Sequence, residues 1–516
     1  MPRSAMPHGA PPAPTDMPHR PMLTFCIIGA TLLQSLDQTI SISALPYMQG
    51  TFSASYTEMT WVVTSYIIAA AIMTAPVGWL AARFGRKFMF VLCILGFTAF
   101  SILSGAAQSL EQIVVCRLIQ GMFSAALVPI SQATLLDIYP FERRGFAMAI
   151  WGIGVMLGPI MGPSLGGYLT DAYNWRAVFY ISTPFGLLAA IGVLIFMPRS
   201  PGQSHLRFDW TGFAVLGIAI GAFQLMMDRG RRQDWFHSQE IIVEAVLAGL
   251  CLYLFIVHML YAQRPLIRPV LFTDRNFILG LMMMFAVGTI LVSSLTLMTP
   301  WLQVMANYPV ATAGLIMAPR GIGNLFTIAL SGRLATRMDP RYLVGAGLAM
   351  MCVSFWVMTG WTPDVSITET ITVIVIQGAG LGLVFTPLQL LAFTTLPPAL
   401  ITEGASLFSL LRNIGAAIGV SVTATVLATN AQGLHEIIGA QVTPFNRALQ
   451  GMGAAQDYLD TGSAKGVALL DNIVTYQAQI TAYSNDYVLL TFTTLPALGL
   501  LLLMRSPQRR RPPVQT

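Results

Sequence analysis

The sequence predicts an all-α integral membrane protein: fourteen transmembrane helices, arranged as two six-helix bundles (spans 1–6 and 9–14) with two further helices (spans 7 and 8) inserted between them. Three observations carry this. Of 516 residues, 55% are hydrophobic and only 10% charged, with a mean hydropathy of +0.67, whereas soluble globular chains carry about 25% charged residues. Apolar runs of spanning length recur along the chain. Two stretches of the first half also reappear in the second half at nearly one offset.

A span needs about 20 predominantly apolar residues to cross a hydrocarbon core of about 30 Å. Residues 1–21 are too polar and proline-rich for that and read as a disordered cytoplasmic tail. A cleaved leader is not expected, because the apolar run that follows is long and ends in no small-residue cleavage site. Spans are expected near 22–45, 57–80, 88–107, 112–136, 145–169 and 176–197, giving an N-terminal bundle over 22–198. The basic break MPRSPGQSHLRFD opens a linker, 199–264, that holds inserted spans near 210–227 and 241–260. After a second break, QRPLIRPVLFTDRN, six more follow near 276–299, 309–332, 341–360, 369–393, 404–429 and 486–504, within a C-terminal bundle over 265–505. That bundle includes a polar periplasmic loop, 430–485, whose GVALLDNIVTYQAQITAY has helical spacing. This stretch reads as a surface helix packed on its own loop or as a docking surface for an outside partner. Residues 506–516 form a basic cytoplasmic tail.

Orientation follows from the basic residues. With the N-terminus inside, 19 of the 28 Lys and Arg residues fall in cytoplasmic segments, six fall outside, and Arg117, Arg320 and Arg412 lie within spans. The bias predicts both termini in the cytoplasm. The outer turn DRGRRQDWF runs against it. The net charge of +6 is this topological bias and points to no nucleic-acid partner. Five cysteines, none in a CxxC pair, read as small buried hydrophobes, and the six scattered histidines predict no metal. No P-loop, metal cluster or nucleophile motif occurs, so neither ATP hydrolysis nor another enzymatic reaction is expected of this chain.

The repeat fixes the architecture. GWLAARFGRKFMF at Gly78 matches GRLATRMDPRYLV at Gly332, 254 residues on, and IQGMFSAALVP at Ile119 matches IQGAGLGLVFTP at Ile376, 257 residues on. Both copies have the same sidedness, so the halves are related by an axis along the membrane normal, and a substrate site is expected between them near midplane.

The same stretches carry a family likeness. LDQTISISALP, GWLAARFGRK, RLIQG at Arg117, GVMLGPIMGPSLGGYL, NWRAVFYISTPFG, DRGRRQDWFHSQEI and PFNRALQG occur in order. From about Pro21 to Arg505 the chain resembles the major facilitator superfamily and, within it, the fourteen-helix drug:proton antiporter branch of EmrB/QacA-type multidrug exporters. One departure is Ala82, which stands where the superfamily's loop 2–3 motif usually has aspartate; the interdomain contact assigned to that Asp cannot form here. The likeness implies the major facilitator fold and a proton-coupled antiporter that exports amphipathic compounds across the inner membrane of a Gram-negative cell. It implies no cofactor, the proton gradient being the energy source. It also implies a periplasmic membrane-fusion adaptor and an outer-membrane channel as partners. Two alternatives stand beside this reading: an exporter of one metabolite, lipid or siderophore, and a non-transporting scaffold or receptor.

Asp37 is the residue that most needs a reason, because a charge at the middle of a span costs roughly 3 kcal/mol. Asp37 and Arg117 lie roughly 11 and 8 Å below the outer surface at about 1.5 Å per residue. Burial disfavours an ionised carboxylate and a nearby guanidinium favours it, so the pair is expected to interact and to couple proton binding to conformation. A structural role, in which the two charges only satisfy each other, remains the plainer reading. The repeat puts Ile374 or Val375 at the counterpart of Arg117, so the charge belongs to one half only. Arg320 and Arg412 are further intramembrane charges that line the cavity or hold polar groups. Trp61, Tyr66, Phe123, Trp151, Gln377 and Phe385 are candidate walls of a cavity for apolar, often cationic, drugs, and each also fits ordinary packing. Gly158, Pro159, Gly162, Pro163, Gly166 and Gly167 form the antiporter motif; their spacing allows close helix approach, read as a seal between the halves or as plain packing. In the loop 2–3 motif, Gly78, Arg83, Gly85, Arg86 and Lys87, the three cations are expected to contact helix ends or acidic lipid, or only to mark the cytoplasmic side.

Overall fold

The ends of the helices are set by proline, glycine and capping side chains. In the computed structural model the N-terminal bundle comprises α1 (Arg20–Phe52), α2 (Tyr56–Thr74), α3 (Val77–Phe84), α4 (Arg86–Ala106), α5 (Leu110–Ser124), α6 (Leu127–Ile138), α7 (Arg144–Ala172), α8 (Ala177–Tyr180) and α9 (Ser182–Phe196). The insertion is α10 (Trp210–Arg229) and α11 (Gln239–Tyr261). The C-terminal bundle is α12 (Arg275–Pro300), α13 (Val310–Leu334), α14 (Pro340–Met358), α15 (Ile367–Phe393), α16 (Ile401–Gly439) and α17 (Ala464–Leu503). The structure describes residues 19–505 except 55, 141–142, 204–205, 336, 398–399 and 444–462. Residues 1–18 of the first expected tail, the whole of the second and the PFNRALQG stretch therefore lie outside the described residues, while Arg20 and Pro21, expected in the first tail, open α1.

Side chains of Ser109, Asp209, Asp274, Asp339, Ser366 and Ser463 accept backbone N–H bonds at the first turns of α5, α10, α12, α14, α15 and α17. Pro76, with no N–H to give, breaks span 2 into α2 and α3 at a 60° bend. Among the described residues twelve helices or end-to-end pairs are long and apolar enough to cross a bilayer, and the bent pair makes a thirteenth. The 29-residue α7, about 43 Å long at 1.5 Å per residue, is also long enough to cross.

Within each bundle the pairings are α1 on α7, α2 and α4 on α5, α13 and α14 on α15, and α12 and α17 on α16. α10 packs on both α2 and α16, and so touches both bundles, while α11 packs chiefly on α10 and turns Val243, Val246, Leu250 and Tyr253 outward. Both described chain ends lie on one face, here termed the terminal face. The Thr24 hydroxyl at the start of α1 meets the Tyr139 hydroxyl after α6 at 3.1 Å, and the Asn276 amide of α12 donates to the Arg505 carbonyl at 3.1 Å.

The bundles meet close to that face, and the contacts are pseudo-symmetric. A Cβ on Gly78 would lie 2.9 Å from Glu403 Cα, and one on Gly332 would lie 2.8 Å from the Gly145 carbonyl oxygen and would also strike Ala149. The two repeat-related glycines thus seat each half on the other. The amides of Gln132 and Gln389 hydrogen-bond at 2.6 Å. They are 257 residues apart, the repeat offset itself, so equivalent residues meet on the axis. Trp151 and Phe385 stack beside them at 6.0 Å.

Glu403 is 8% exposed. It is held by the Arg268 backbone N–H at 2.6 Å and Nε at 2.8 Å. Arg268 is half-exposed, so this pair sits at the weaker end of charged hydrogen bonds, about 1.5 kcal/mol. Glu403→Ala is expected to lower stability by about that amount, and Glu403→Gln by less. Thermal unfolding of the purified variants checks this; equal melting of both variants would refute it.

Two sequence expectations change. The 430–485 segment is no separate loop where it is described: α16 runs on to Gly439 and α17 begins at Ala464, so both membrane helices project outward as continuous rods. The basic outer turn is compensated locally, since Arg229 pairs with Glu240 at 2.9 Å and Glu244 at 3.4 Å.

Candidate functional site

Asp37 and Arg117 are brought together. Arg117 Nη1 donates to Asp37 Oδ2 at 2.6 Å, with the two side chains 0% and 3% exposed. Gln120 Nε2 donates to Asp37 Oδ1 at 3.2 Å, and Gln120 Oε1 accepts from Arg117 Nη1 at 2.9 Å. Arg117 Nε donates to the Val62 carbonyl at 3.2 Å. The Tyr66 ring lies 4.3 Å from the guanidinium carbon and the Phe179 ring 5.7 Å. The site is thus built by α1, α2, α5 and α8. Gly121 makes the α2–α5 approach possible, because a Cβ there would sit 3.1 Å from Tyr66 Cα. Arg117 Nη2 has no hydrogen-bond partner. Gln120, Val62 and Phe179 escaped the sequence reading; Gln120 was legible as the i+3 neighbour of Arg117 within RLIQG.

Of the two readings of the antiporter glycines, plain helix packing describes Gly158 and Gly162. A Cβ on Gly158 would lie 2.6 Å from Leu36 N, and one on Gly162 2.8 Å from Thr39 Cβ, so both press α7 onto α1 of the same bundle. Ser35 Oγ donates to the Val155 carbonyl and Thr39 Oγ1 to the Gly158 carbonyl at 3.2 Å, which ties the two helices. The contact of α7 with the other half comes instead from Gly145, Ala149 and Gly152, nearer the terminal face. A Cβ on Gly167 would meet nothing within 4 Å, Gly166 is buried, Pro159 is exposed, and the Pro163 side chain lies outside the described residues.

Of the expected cavity walls, Tyr66 packs on Arg117 and Gln377 is buried with both amide atoms unpartnered. Trp151 and Phe385 are buried in the joint between bundles, with Trp151 Nε1 donating to Ser131 Oγ at 3.0 Å. Trp61 is exposed on α2. Phe123 stacks on Phe100 and lines an apolar groove of about 420 Å³ with Phe84, Phe88 and Leu92, on the outer side of the bundle and away from its partner half. Arg320 donates to Ser294 Oγ at 2.8 Å, and Arg412 sits where α16 crosses Gly288 of α12.

In the loop 2–3 motif, Gly85 has φ +89°, in the left-handed region, and a Cβ would strike the Ser200 carbonyl. Arg83 Nη1 donates to the Gln203 carbonyl at 3.4 Å, Arg86 pairs with Asp137, and Lys87 is partly exposed. Ala82 leaves the motif without its carboxylate. The carboxylate at this joint comes from the other half, as Glu403 against Gly78.

The model of the Major Facilitator Superfamily matches residues 27–420. The chain is 32% identical over 486 residues to multidrug export protein EmrB of Haemophilus influenzae, covering 94% of each chain. It is also 32% identical over 461 residues to fatty acid resistance protein FarB of Neisseria gonorrhoeae, covering 89% of this chain and 91% of that one. In fold it is similar to the crystal structure of the human organic anion transporter MFSD10 (TETRAN), with a TM-score of 0.58 at 14% identity over 93% of this chain and 100% of that one. With a family model across most of the sequence and relatives matched nearly end to end, the chain belongs to the major facilitator superfamily and, within it, to the family of the EmrB-type proteins.

Proposed function

We propose that this protein is a proton-coupled antiporter that exports amphipathic drugs and toxic compounds, with Asp37 as the coupling carboxylate. In this reading the terminal face is cytoplasmic, the membrane is the inner membrane, and the proton gradient replaces any cofactor. The observation that carries it is the buried Asp37–Arg117 pair, held by Gln120 in a bundle that contacts its partner bundle through glycine joints. A proton taken up by Asp37 cancels its attraction for Arg117. The guanidinium then turns to other acceptors, and the α1–α5 contact that depends on the pair loosens. Each proton moved down 100 mV supplies about 2.3 kcal/mol. The outward rods of α16 and α17 offer a surface for a periplasmic adaptor.

The test is proton movement in everted vesicles on adding drug, comparing native protein with Asp37→Asn, whose amide oxygen can still accept from Arg117. Drug-triggered proton release is expected in the native protein and not in the variant at equal membrane content. A variant that exchanges normally would make Asp37 structural. The name of FarB favours a second reading, in which the cargo is one class of lipid acid; resistance to several unrelated toxicants would separate the two.

A further inference from the structure

We infer that the C-terminal bundle binds the anionic head group, a carboxylate, of an amphipathic substrate, at a site centred on Arg320. The inference rests on the export reading above and names the cargo's chemistry.

Arg320 lies in the middle of α13 and is only 7% exposed. Its Nη2 donates to Ser294 Oγ at 2.8 Å, and its Nη1 has no partner. The repeat shows what is missing. The position 257 residues on from Asp37 is Ser294. At that offset a hydroxyl stands where the first bundle has its carboxylate, and the guanidinium it meets comes from α13, the counterpart of Arg117 being Ile374. Among the described residues neither Arg320 nor Arg412 has a carboxylate within ion-pair distance.

Unpartnered polar atoms gather on the same helices. Asn324 Oδ1, one turn from Arg320 on α13, is buried without a partner, as are both amide atoms of Gln377 on α15. Gln377 adjoins Gly378, where a Cβ would lie 2.9 Å from the Arg320 carbonyl carbon. On α12, six residues from Ser294, a Cβ on Gly288 would lie 2.9 Å from the Arg412 carbonyl carbon. A second cation thus stands on the helix across α12.

A buried guanidinium without a counter-ion is costly. Its planar fork fits a carboxylate through two parallel N–H bonds. The bundle also buries one carboxylate, Asp486 on α17, whose two oxygens have no hydrogen-bond partner among the described residues; with no ion pair joining it to either arginine, two cations against one anion still favour an anionic head group at Arg320. Lipid phosphate offers the same oxygen acceptors, so the experiment separates the two sources.

The full-length protein in phosphatidylcholine nanodiscs is titrated with dodecanoate, methyl dodecanoate and dodecyltrimethylammonium, as native, Arg320→Gln and Arg320→Lys. Native protein is expected to bind the acid about tenfold or more tighter than the ester. Arg320→Gln lowers the ratio of acid to ammonium affinity by about tenfold or more, and Arg320→Lys falls between. Retained ammonium binding reports that the variant is folded. Equal binding of acid and ester, or an unchanged ratio in Arg320→Gln, overturns the inference. Displacement of the acid by phosphatidylglycerol, with no dodecanoate transport in proteoliposomes, assigns the site to lipid and also overturns it. Proton-driven export of the ammonium with no response to dodecanoate overturns this inference alone. Dodecanoate bound through Arg320, with neither it nor the ammonium moved under a proton gradient, overturns the export reading.

Discussion

Arg117→Leu is expected to destabilise the folded protein by about 3–5 kcal/mol, because it leaves the buried Asp37 carboxyl without its partner. Asp37 would keep only the Gln120 amide, at 3.2 Å. The double variant Asp37→Leu with Arg117→Leu is expected to recover most of that loss, since apolar replacement of a whole buried pair is often neutral or better. Thermal unfolding in detergent, followed by tryptophan fluorescence, reads the cycle. Additive losses would show that the two side chains do not depend on each other. The double variant also separates stability from work: it should melt near the native protein and move no protons.

Gly158→Val is expected to abolish transport by displacing Asp37 without touching it. The new Cβ would lie 2.6 Å from Leu36 N, inside any real contact distance, so α1 and α7 must separate. Overpacking of this kind costs about 1–3 kcal/mol. The separation also strains the bonds that tie Ser35 to Val155 and Thr39 to Gly158. Ser35 and Thr39 each stand two residues from Asp37, so a shift of the α1 backbone there carries the carboxylate away from Arg117. Gly167→Ala is the matched control: a Cβ there meets nothing within 4 Å, and alanine favours the helix by about 1 kcal/mol. Drug-driven proton release per unit of membrane protein measures both. Equal activity of the two variants would remove the α1–α7 contact from the mechanism.

Much of this was legible in the sequence because membrane physics writes it plainly. Span length, the repeat offset and a lone aspartate among apolar residues are one-dimensional signals, and each marks a feature found in three dimensions. Helix faces are harder. The glycines of α7 recur at a spacing that promises close packing, yet the spacing does not say whether α1 or the opposite bundle fills the groove; Gly158 and Gly162 meet α1, and Gly152 meets the other half. Phe123 makes the same point, since its face of α5 turns toward α4 and packs there on Phe100 and Gly96. Within 430–485 the helical spacing of GVALLDNIVTYQAQITAY is matched by α17, but polar residues on a helix beyond the bilayer look like a loop to a hydropathy ruler, so α16 runs past its expected end and α17 starts before its expected beginning. Gln132 and Gln389 were readable after all: the offset that identified the repeat predicts that they are partners on its axis.

The joint at the terminal face has a kinetic consequence. It is made of backbone contacts at Gly78 and Gly332, one neutral amide bond between Gln132 and Gln389, and one aromatic stack. A neutral hydrogen bond and an aromatic stack are each worth about 1 kcal/mol, and atom contacts about 0.1–0.2 kcal/mol each, so the contacts named here are individually weak and can give way in turn. In the transport cycle proposed above, turnover would be paced by the swing of whole bundles through lipid, on the microsecond-to-millisecond scale of domain motions, and membrane viscosity would be one of its controls.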